Sequence, residues 1–192
     1  MQIDPNLSLI LASKSPRRSY LLEQAGIPFT VKTMDVEEIY PEDLPVLEIA
    51  PFLAELKAEG ATHLLEKENE VLLTADSVVL IDGEKYGKPK SREEAVATLQ
   101  KLSGYHHTVV TGCCLKSLAK KKVFAGITKV YFNELTEAEI DWYLDTCQPY
   151  DKAGAYGIQE WVGLACINKI EGTYPNVMGL PVDLVYTHLK AW

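Results

Sequence analysis

Apolar and polar positions along this chain follow two rhythms, and the switches between them mark out its elements. Residues 7–12 (LSLILA) form a short apolar run that stops at Ser13. The segment SKSPRRSYLLEQAG then sets Leu21, Leu22 and Ala25 on one helical stripe and ends at Gly26, so strand, polar loop and helix are predicted in turn. Pro16 suits either the loop or the first helical turn, where its missing N–H is harmless. IPFTVKTM (27–34) predicts a second strand, and DVEEIYPEDLP an acidic loop punctuated by proline. From about Glu48 to Lys67, Ile49, Leu53, Leu56 and Leu64 among Ala and Glu predict an amphipathic helix carrying Lys57 near its middle.

At VLLTADSVVLIDG (71–83) the pattern becomes a continuous, β-branched run, as in a buried strand, with Asp82-Gly83 as a turn and a single acid, Asp76, inside it. SREEAVATLQKLSG (91–104) predicts a helix with Ser91 as N-cap, Glu94 at the capping-box position and Gly104 as its stop. HHTVVTGCCLKSL and KKVFAGITKVYFNEL predict two long strands joined by the basic turn Ala119 to Lys122. Thr136, with Glu139 three residues on, opens the helix TEAEIDWYLDTC. DKAGAYGIQE predicts a glycine-rich loop, WVGLACINKIEG a strand pair or a strand and turn, and YPNVMGLPVDLVYTHLKAW a loop leading into a C-terminal helix. Strands and helices alternate without a regular parallel rhythm, which predicts an α/β fold on a mixed sheet rather than a doubly wound Rossmann fold. With no repeat and no long linker in 192 residues, the expectation is a single domain over 1–192, or two lobes sharing one core.

The balance of 27 acidic against 19 basic residues gives a net charge of -8. General nucleic-acid binding is therefore not expected, since it depends on basic clusters that displace counterions, and any phosphate must be held locally. The cysteines Cys113, Cys114, Cys147 and Cys166 have neither CxxC metal spacing nor a paired framework, so reduced thiols in the cytoplasm are expected. The N-terminus lacks a basic signal-peptide region, and no stretch reaches the ~20 apolar residues of a membrane helix.

Candidate chemistry begins in the loop Ser13-Lys14-Ser15-Pro16-Arg17-Arg18, where two hydroxyls, two guanidiniums and a helix N-terminus each favour an anion. A phosphate-binding loop and a solvated helix start both fit that pattern, and the glycines of a Walker A loop are absent. Asp76 is an acid in an apolar run, so it must be paired, protonated, metal-bound or turned to a cleft; a structural Asp bonding backbone or lysine is the plainer reading. Glu37 and Glu38 are further carboxylates suited to a hard cation such as Mg²⁺, or simply solvated. Lys88 in YGKP and Lys152 in DKAGAYGIQ occupy glycine-containing loops where an ammonium could meet phosphate, although most loop lysines only solubilise. Gln159 offers a donor and an acceptor for reading a base edge, or for satisfying backbone. His63, His106, His107 and His188 show no metal-ligand spacing and read as surface or core histidines; Cys113-Cys114, within a strand, read as buried inert thiols. No GxSxG nucleophile elbow is present.

Taken in order, LASKSPRRSYLL, ELKAEGA, TADSVV, YGKP, LSGYHHTVVTG, DKAGAYGIQ and GTYPNVMGLPV resemble the successive motifs of the Maf family of nucleotide pyrophosphatases, over residues 9 to 185. The resemblance implies an elongated mixed β-sheet with flanking helices and a cleft between two lobes, similar to inosine triphosphate pyrophosphatases, often as a homodimer. It implies hydrolysis of a nucleoside triphosphate to monophosphate and pyrophosphate with a divalent metal cation, Mg²⁺ or Mn²⁺. The DKAGAYGIQ form points to the branch acting on dTTP and UTP, and on some modified pyrimidine nucleotides, rather than the 7-methyl-GTP branch. Carried over by position, Asp76 becomes the proton acceptor. Arg17, Ser77 and Gln159 govern substrate choice; Ser13, Arg18, Lys57, Lys88 and Lys152 line the phosphate path; Glu38 and Asp76 lie near the metal. Ser77 stands where that branch usually has Thr, and Gln148 where a Glu commonly precedes the proline. The resemblance also leaves two other readings: a non-catalytic nucleotide-binding regulator of septum formation, or a pyrophosphatase for other non-standard triphosphates.

Overall fold

The computed structural model describes residues 3–33 and 35–192, so Met34, the end of the predicted second strand, lies outside the described residues, as does the start of the N-terminal segment. Strand β1 (Ser8–Leu11) is LSLILA's apolar centre, with Leu9, Ile10 and Leu11 at most 2% exposed. Helix α1 (Pro16–Gln24) starts on Pro16, its ring in the first turn, and buries Leu21 and Leu22. Among the described residues Thr30–Val31 pair as β2, shorter than predicted. Pro28 has no N–H to give a ladder, and both paired residues are exposed.

Helix α2 (Ile49–Gly60) ends well before Lys67. Thr62 turns its hydroxyl onto the carbonyls of Ala58 and Glu59, and residues 62–64 tighten into a 3₁₀ turn. The largely buried carboxylate of Glu70 then accepts from the N–H groups of Glu66 and Lys67, offering that backbone a partner other than a helix. Strand β3 (Glu70–Ile81) is buried along nearly its whole length, as a sheet covered on both faces requires. At Asp82-Gly83 both residues have positive φ, and β4 (Glu84–Tyr86) returns antiparallel, the geometry of a two-residue hairpin.

Helix α3 (Arg92–Leu102) and strands β5 (His106–Lys116) and β6 (Lys121–Phe132) fall where the pattern places them. Helix α4 (Glu137–Cys147) carries a full capping box between Thr136 and Glu139. The segment 161–172 is not a strand pair: a helical turn, α5 (Trp161–Ala165), precedes β7 (Ile167–Glu171). Gly163 lies so close to the Ile158 carbonyl that a Cβ would sit 1.8 Å from its oxygen, and the turn folds back over the preceding loop. One further helical turn, α6 (Tyr174–Met178), occupies part of the expected loop before the C-terminal helix α7 (Val182–Lys190).

Among the described residues seven strands form a mixed sheet in the order β2-β1-β3-β5-β6-β7, with β4 on β3; β1 runs parallel to β2 and β3, while β4 and β7 run antiparallel to β3 and β6. Helices flank it, so the fold is the predicted mixed α/β class. Contacts group the chain into two compact units. The first comprises Met1–Asp76, Thr111–Gly126 and Gly179–Trp192, and its core packs Ile10, Leu72 and Cys114 against Ala54, Ala58 and Ala61. The second comprises Ser77–Val110 and Ile127–Met178, and within it His107, Phe132 and Tyr156 meet ring to ring. Among the described residues no helix is long and apolar enough to cross a membrane.

Candidate active site

In the first unit the loop between β1 and α1 is organised by Ser13. Its hydroxyl oxygen accepts from the Ser15 N–H at 3.1 Å and from Arg18 Nη1 at 3.2 Å, while Arg18 Nε donates to the Gly179 carbonyl at 2.9 Å. Arg18 is thus fixed in place from two sides. Burial pulls its pKa down; the carboxylates of Asp76 and Glu38 act against that pull, while the neighbouring Arg17 adds to it. Arg17 stands beside it in the same turn, half-buried. No acidic residue occupies the first turn of α1, so its N-terminal dipole remains available to an anion. Lys14 pairs with Asp35, both side chains exposed.

Asp76 ends the first unit's share of β3 and is 9% exposed. The charge that the apolar run would otherwise penalise is answered by α2: Lys57 Nζ donates to Asp76 Oδ1 at 2.6 Å and lies 2.7 Å from Glu38 Oε1. One ammonium therefore gathers the two carboxylates that the sequence singled out. Glu37 is exposed beside them. Helix α2 can present Lys57 here because Gly112 of β5 lacks a side chain; a Cβ there would lie 2.2 Å from the backbone of Ala50 and Pro51.

Among the described residues no three His, Cys, Asp or Glu side chains cluster as a ready metal cage. Mg²⁺ seldom uses such a cage, taking one or two carboxylates and completing its shell with water and substrate phosphate oxygens. Two hard carboxylate donors drawn to a common cationic point fit that requirement.

In the second unit, Ser77 follows Asp76 along β3 and is half-buried. Lys88 is exposed; the carbonyl of its neighbour Gly87 accepts from Gly154 N–H at 3.1 Å, tying the YGKP loop to DKAGAYGIQE. Lys152 is only 12% exposed and sits 2.6 Å from Asp151 Oδ1 and 2.9 Å from Glu160 Oε1. Burial works to lower its pKa, but the hydrogen bonds to Asp151 and Glu160 prevail and raise it. Gln159 is half-buried next to Glu160. Glu160, and Tyr143 whose hydroxyl donates to Glu160 Oε2, were not among the residues the sequence singled out: Tyr143 reads as part of α4's apolar stripe and Glu160 as a solvated loop acid.

The remaining candidates fall outside these clusters. His107 is buried, its Nε2 2.8 Å from the Tyr156 hydroxyl and its Nδ1 without a partner among the described residues, and burial lowers its pKa to about 3. Cys113 and Cys114 are buried free thiols pushed up to about 12 by desolvation, which makes them inert as nucleophiles. Gln148 takes a left-handed conformation as the cap of α4 and is exposed.

The chain matches the model of the Maf-like proteins over residues 8–192. It is 45% identical over 184 residues to a dTTP/UTP pyrophosphatase of Flavobacterium psychrophilum, covering 96% of this chain and 94% of that protein. It is 46% identical over 185 residues to a dTTP/UTP pyrophosphatase of Christiangramia forsetii, with the same coverage of each. Among solved structures, the Ham1 protein of Staphylococcus aureus superposes on 65% of this chain and 71% of its own, at 20% identity and a TM-score of 0.48. With the family's pattern matched from β1 to the last residue, and relatives this similar across almost their full length, the chain belongs to the Maf family.

Proposed function

We propose that this chain hydrolyses dTTP and UTP to the monophosphate and pyrophosphate. The observation that carries this reading is Asp76, a buried carboxylate held by Lys57 within the field of Arg18. The printed activity of the relatives supplies the reaction class. Arg18 and the first turn of α1 hold phosphate oxygens, with Ser13 bracing the guanidinium and Arg17 adding charge. Asp76 takes a proton from a water whose oxygen attacks the alpha phosphorus; the bond to the bridging oxygen breaks and pyrophosphate leaves. A divalent cation, Mg²⁺ or Mn²⁺, would be held by Glu38 and Asp76, where it would offset triphosphate charge and polarise phosphoryl oxygens. Lys57 keeps the two carboxylates together and supplies a compensating positive charge, and Lys88 and Lys152 add ammonium groups for the leaving pyrophosphate. Ser77 and Gln159 pair with the pyrimidine, which sets the preference over purines, because a wrong base leaves their polar atoms unpaired. A homodimer in the cytoplasm belongs to the same proposal, supported by the family resemblance and by four free thiols.

A panel of dTTP, UTP, ATP and GTP with Mg²⁺, assayed separately for pyrophosphate and phosphate, tests the reading. Pyrophosphate released preferentially from dTTP and UTP is the expected result. Release of orthophosphate, or equal turnover of all four, would overturn it.

A further inference from the structure

In the second unit, one tyrosine closes a chain of polar contacts around Lys152. Tyr143, 1% exposed on α4, donates its hydroxyl hydrogen to Glu160 Oε2, while its oxygen accepts from the Gly157 N–H at 3.0 Å. Glu160 directs its other oxygen to Lys152 at 2.9 Å. Gly157 has room for this: a Cβ there would come within 2.8 Å of Glu160 Cδ and 3.0 Å of Gln159 Nε2, so glycine lets both side chains fold over the loop backbone. A helix residue thereby fixes the loop backbone, the carboxylate and, through it, the ammonium.

The two carboxylates on Lys152 are not equivalent. Asp151 is 62% exposed, and water screens such a pair until it contributes little; Glu160 is 19% exposed and lies with Lys152 in the drier setting where a charge without a counter-ion is costly. We infer that Glu160 and Tyr143 are positioning residues of the nucleotide site: Glu160 holds the Lys152 ammonium charged and in one place, and Tyr143 locks Glu160 and the 157 backbone so that Gln159 beside them keeps a fixed position. This rests on the proposed role of Lys152 and Gln159 toward nucleotide. Neither Glu160 nor Tyr143 is assigned a contact with the reacting atoms. Asp151 and Glu160 are the charged groups in contact with Lys152, and Cys147 is the further titratable group bearing on Tyr143. Burial and the bond to Glu160 push the Tyr143 phenol up, so it stays a donor throughout the working range.

The test has an arm that needs no turnover. In the full-length protein without nucleotide, an NMR titration of the Lys152 side chain reads its pKa directly. In Glu160→Gln the amide keeps the shape and loses the charge, leaving Lys152 its desolvation and only the exposed Asp151 as counter-ion, so the Lys152 pKa should fall. An unchanged Lys152 pKa overturns the inference whether or not dTTP is the substrate. In the kinetic arm, the alkaline limb of kcat/KM for dTTP should move toward neutral pH in Glu160→Gln by the same amount, and the displacement should vanish when Lys152→Arg, which does not titrate there, is added. A displacement that persists with arginine overturns the role given to Lys152. Tyr143→Phe keeps the ring and the core packing; it should raise KM for dTTP on the order of tenfold, more than it lowers kcat, as expected for one lost hydrogen bond to a charged group. A fall in kcat that tracks the folded fraction, with KM unchanged, would mark Tyr143 as structural only. Failure of wild type to release pyrophosphate from dTTP would count against the proposed function, while the titration would still decide the ion pair.

Discussion

At the scale of single residues, the division of labour between Asp76 and Arg18 can be separated by substitution. Asp76→Asn preserves size and most hydrogen bonding but removes the charge and the capacity to accept a proton. General-base catalysis is worth about 10²–10⁴ in rate, so kcat should fall by at least that range. Lys57 retains Glu38 as a counter-ion, so the thermal midpoint should change little. Near-normal kcat in a folded Asp76→Asn protein would remove the proton-acceptor role. Arg18→Ala should lower kcat/KM by roughly one to two decades, the worth of ~1.5–3 kcal/mol for a charge-assisted hydrogen bond; wild-type kinetics would sink the phosphate-loop reading. Both residues were legible in the sequence because each is out of place there: a carboxylate in an apolar strand, a guanidinium pair at a helix start. Tyr143 and Glu160 were not. A tyrosine between Ile140 and Leu144 on an apolar stripe reads as core, and only the folded loop brings the Gly157 N–H and Glu160 to its hydroxyl.

At the scale of elements, the placement of Lys57 depends on how closely α2 approaches β5. Gly112 offers no side chain, and a Cβ there would lie 2.2 Å from backbone atoms of Ala50 and Pro51, which cannot rotate away as a side-chain tip would. Gly112→Ala should therefore force α2 outward and cost about 1–3 kcal/mol, read as a fall in the denaturation midpoint. The Lys57–Asp76 pair should loosen with it, so kcat should drop in the fraction that remains folded. An alanine variant with wild-type midpoint and kcat would show that α2 does not need that approach. Elements whose signals are local were readable from sequence: both halves of the α4 capping box are present, and Ser91 caps α3. Elements decided by distant or folded-back groups were not. The helical stripe of α2 runs on through Leu64, yet the helix stops where Thr62 and the Glu70 carboxylate offer its backbone other partners. In the same way, the short apolar run at 161–165 carried no periodicity to distinguish a helical turn from a strand.

At the scale of the whole molecule, stability should depend on pH through one buried base. His107 is 1% exposed, and burial holds its pKa at about 3, against an ordinary value near 6.5. In the folded chain the ring stays neutral while the unfolded chain takes up a proton below that ordinary value, so the unfolded state binds more protons as pH falls from about 6.5 toward 3. Stability contributed by the neutral ring is complete above that window and is lost progressively through it. At two pH units below the ordinary value, the loss amounts to about 2.7 kcal/mol, at 1.36 kcal/mol per unit. His188, lowered by its own burial and by Lys122, adds a contribution in the same window, whereas the carboxylates act lower: Glu70, held down mainly by the Glu66 N–H, and Glu59, held down by Lys116 and Lys121, lose their contributions only as the carboxylate range is crossed. The net charge of -8 works in the opposite direction, since approach to the isoelectric point near 5.1 relaxes self-repulsion. A fall in the thermal midpoint between pH 6.5 and 5 is therefore expected to carry the signature of His107. His107→Gln should keep a polar partner for the Tyr156 hydroxyl without a titrating group, lower the midpoint at pH 7 by a modest amount, and flatten its dependence on pH over that interval. Midpoints measured at half-unit steps on both proteins decide the matter, and parallel curves would mean that the ring does not govern acid stability.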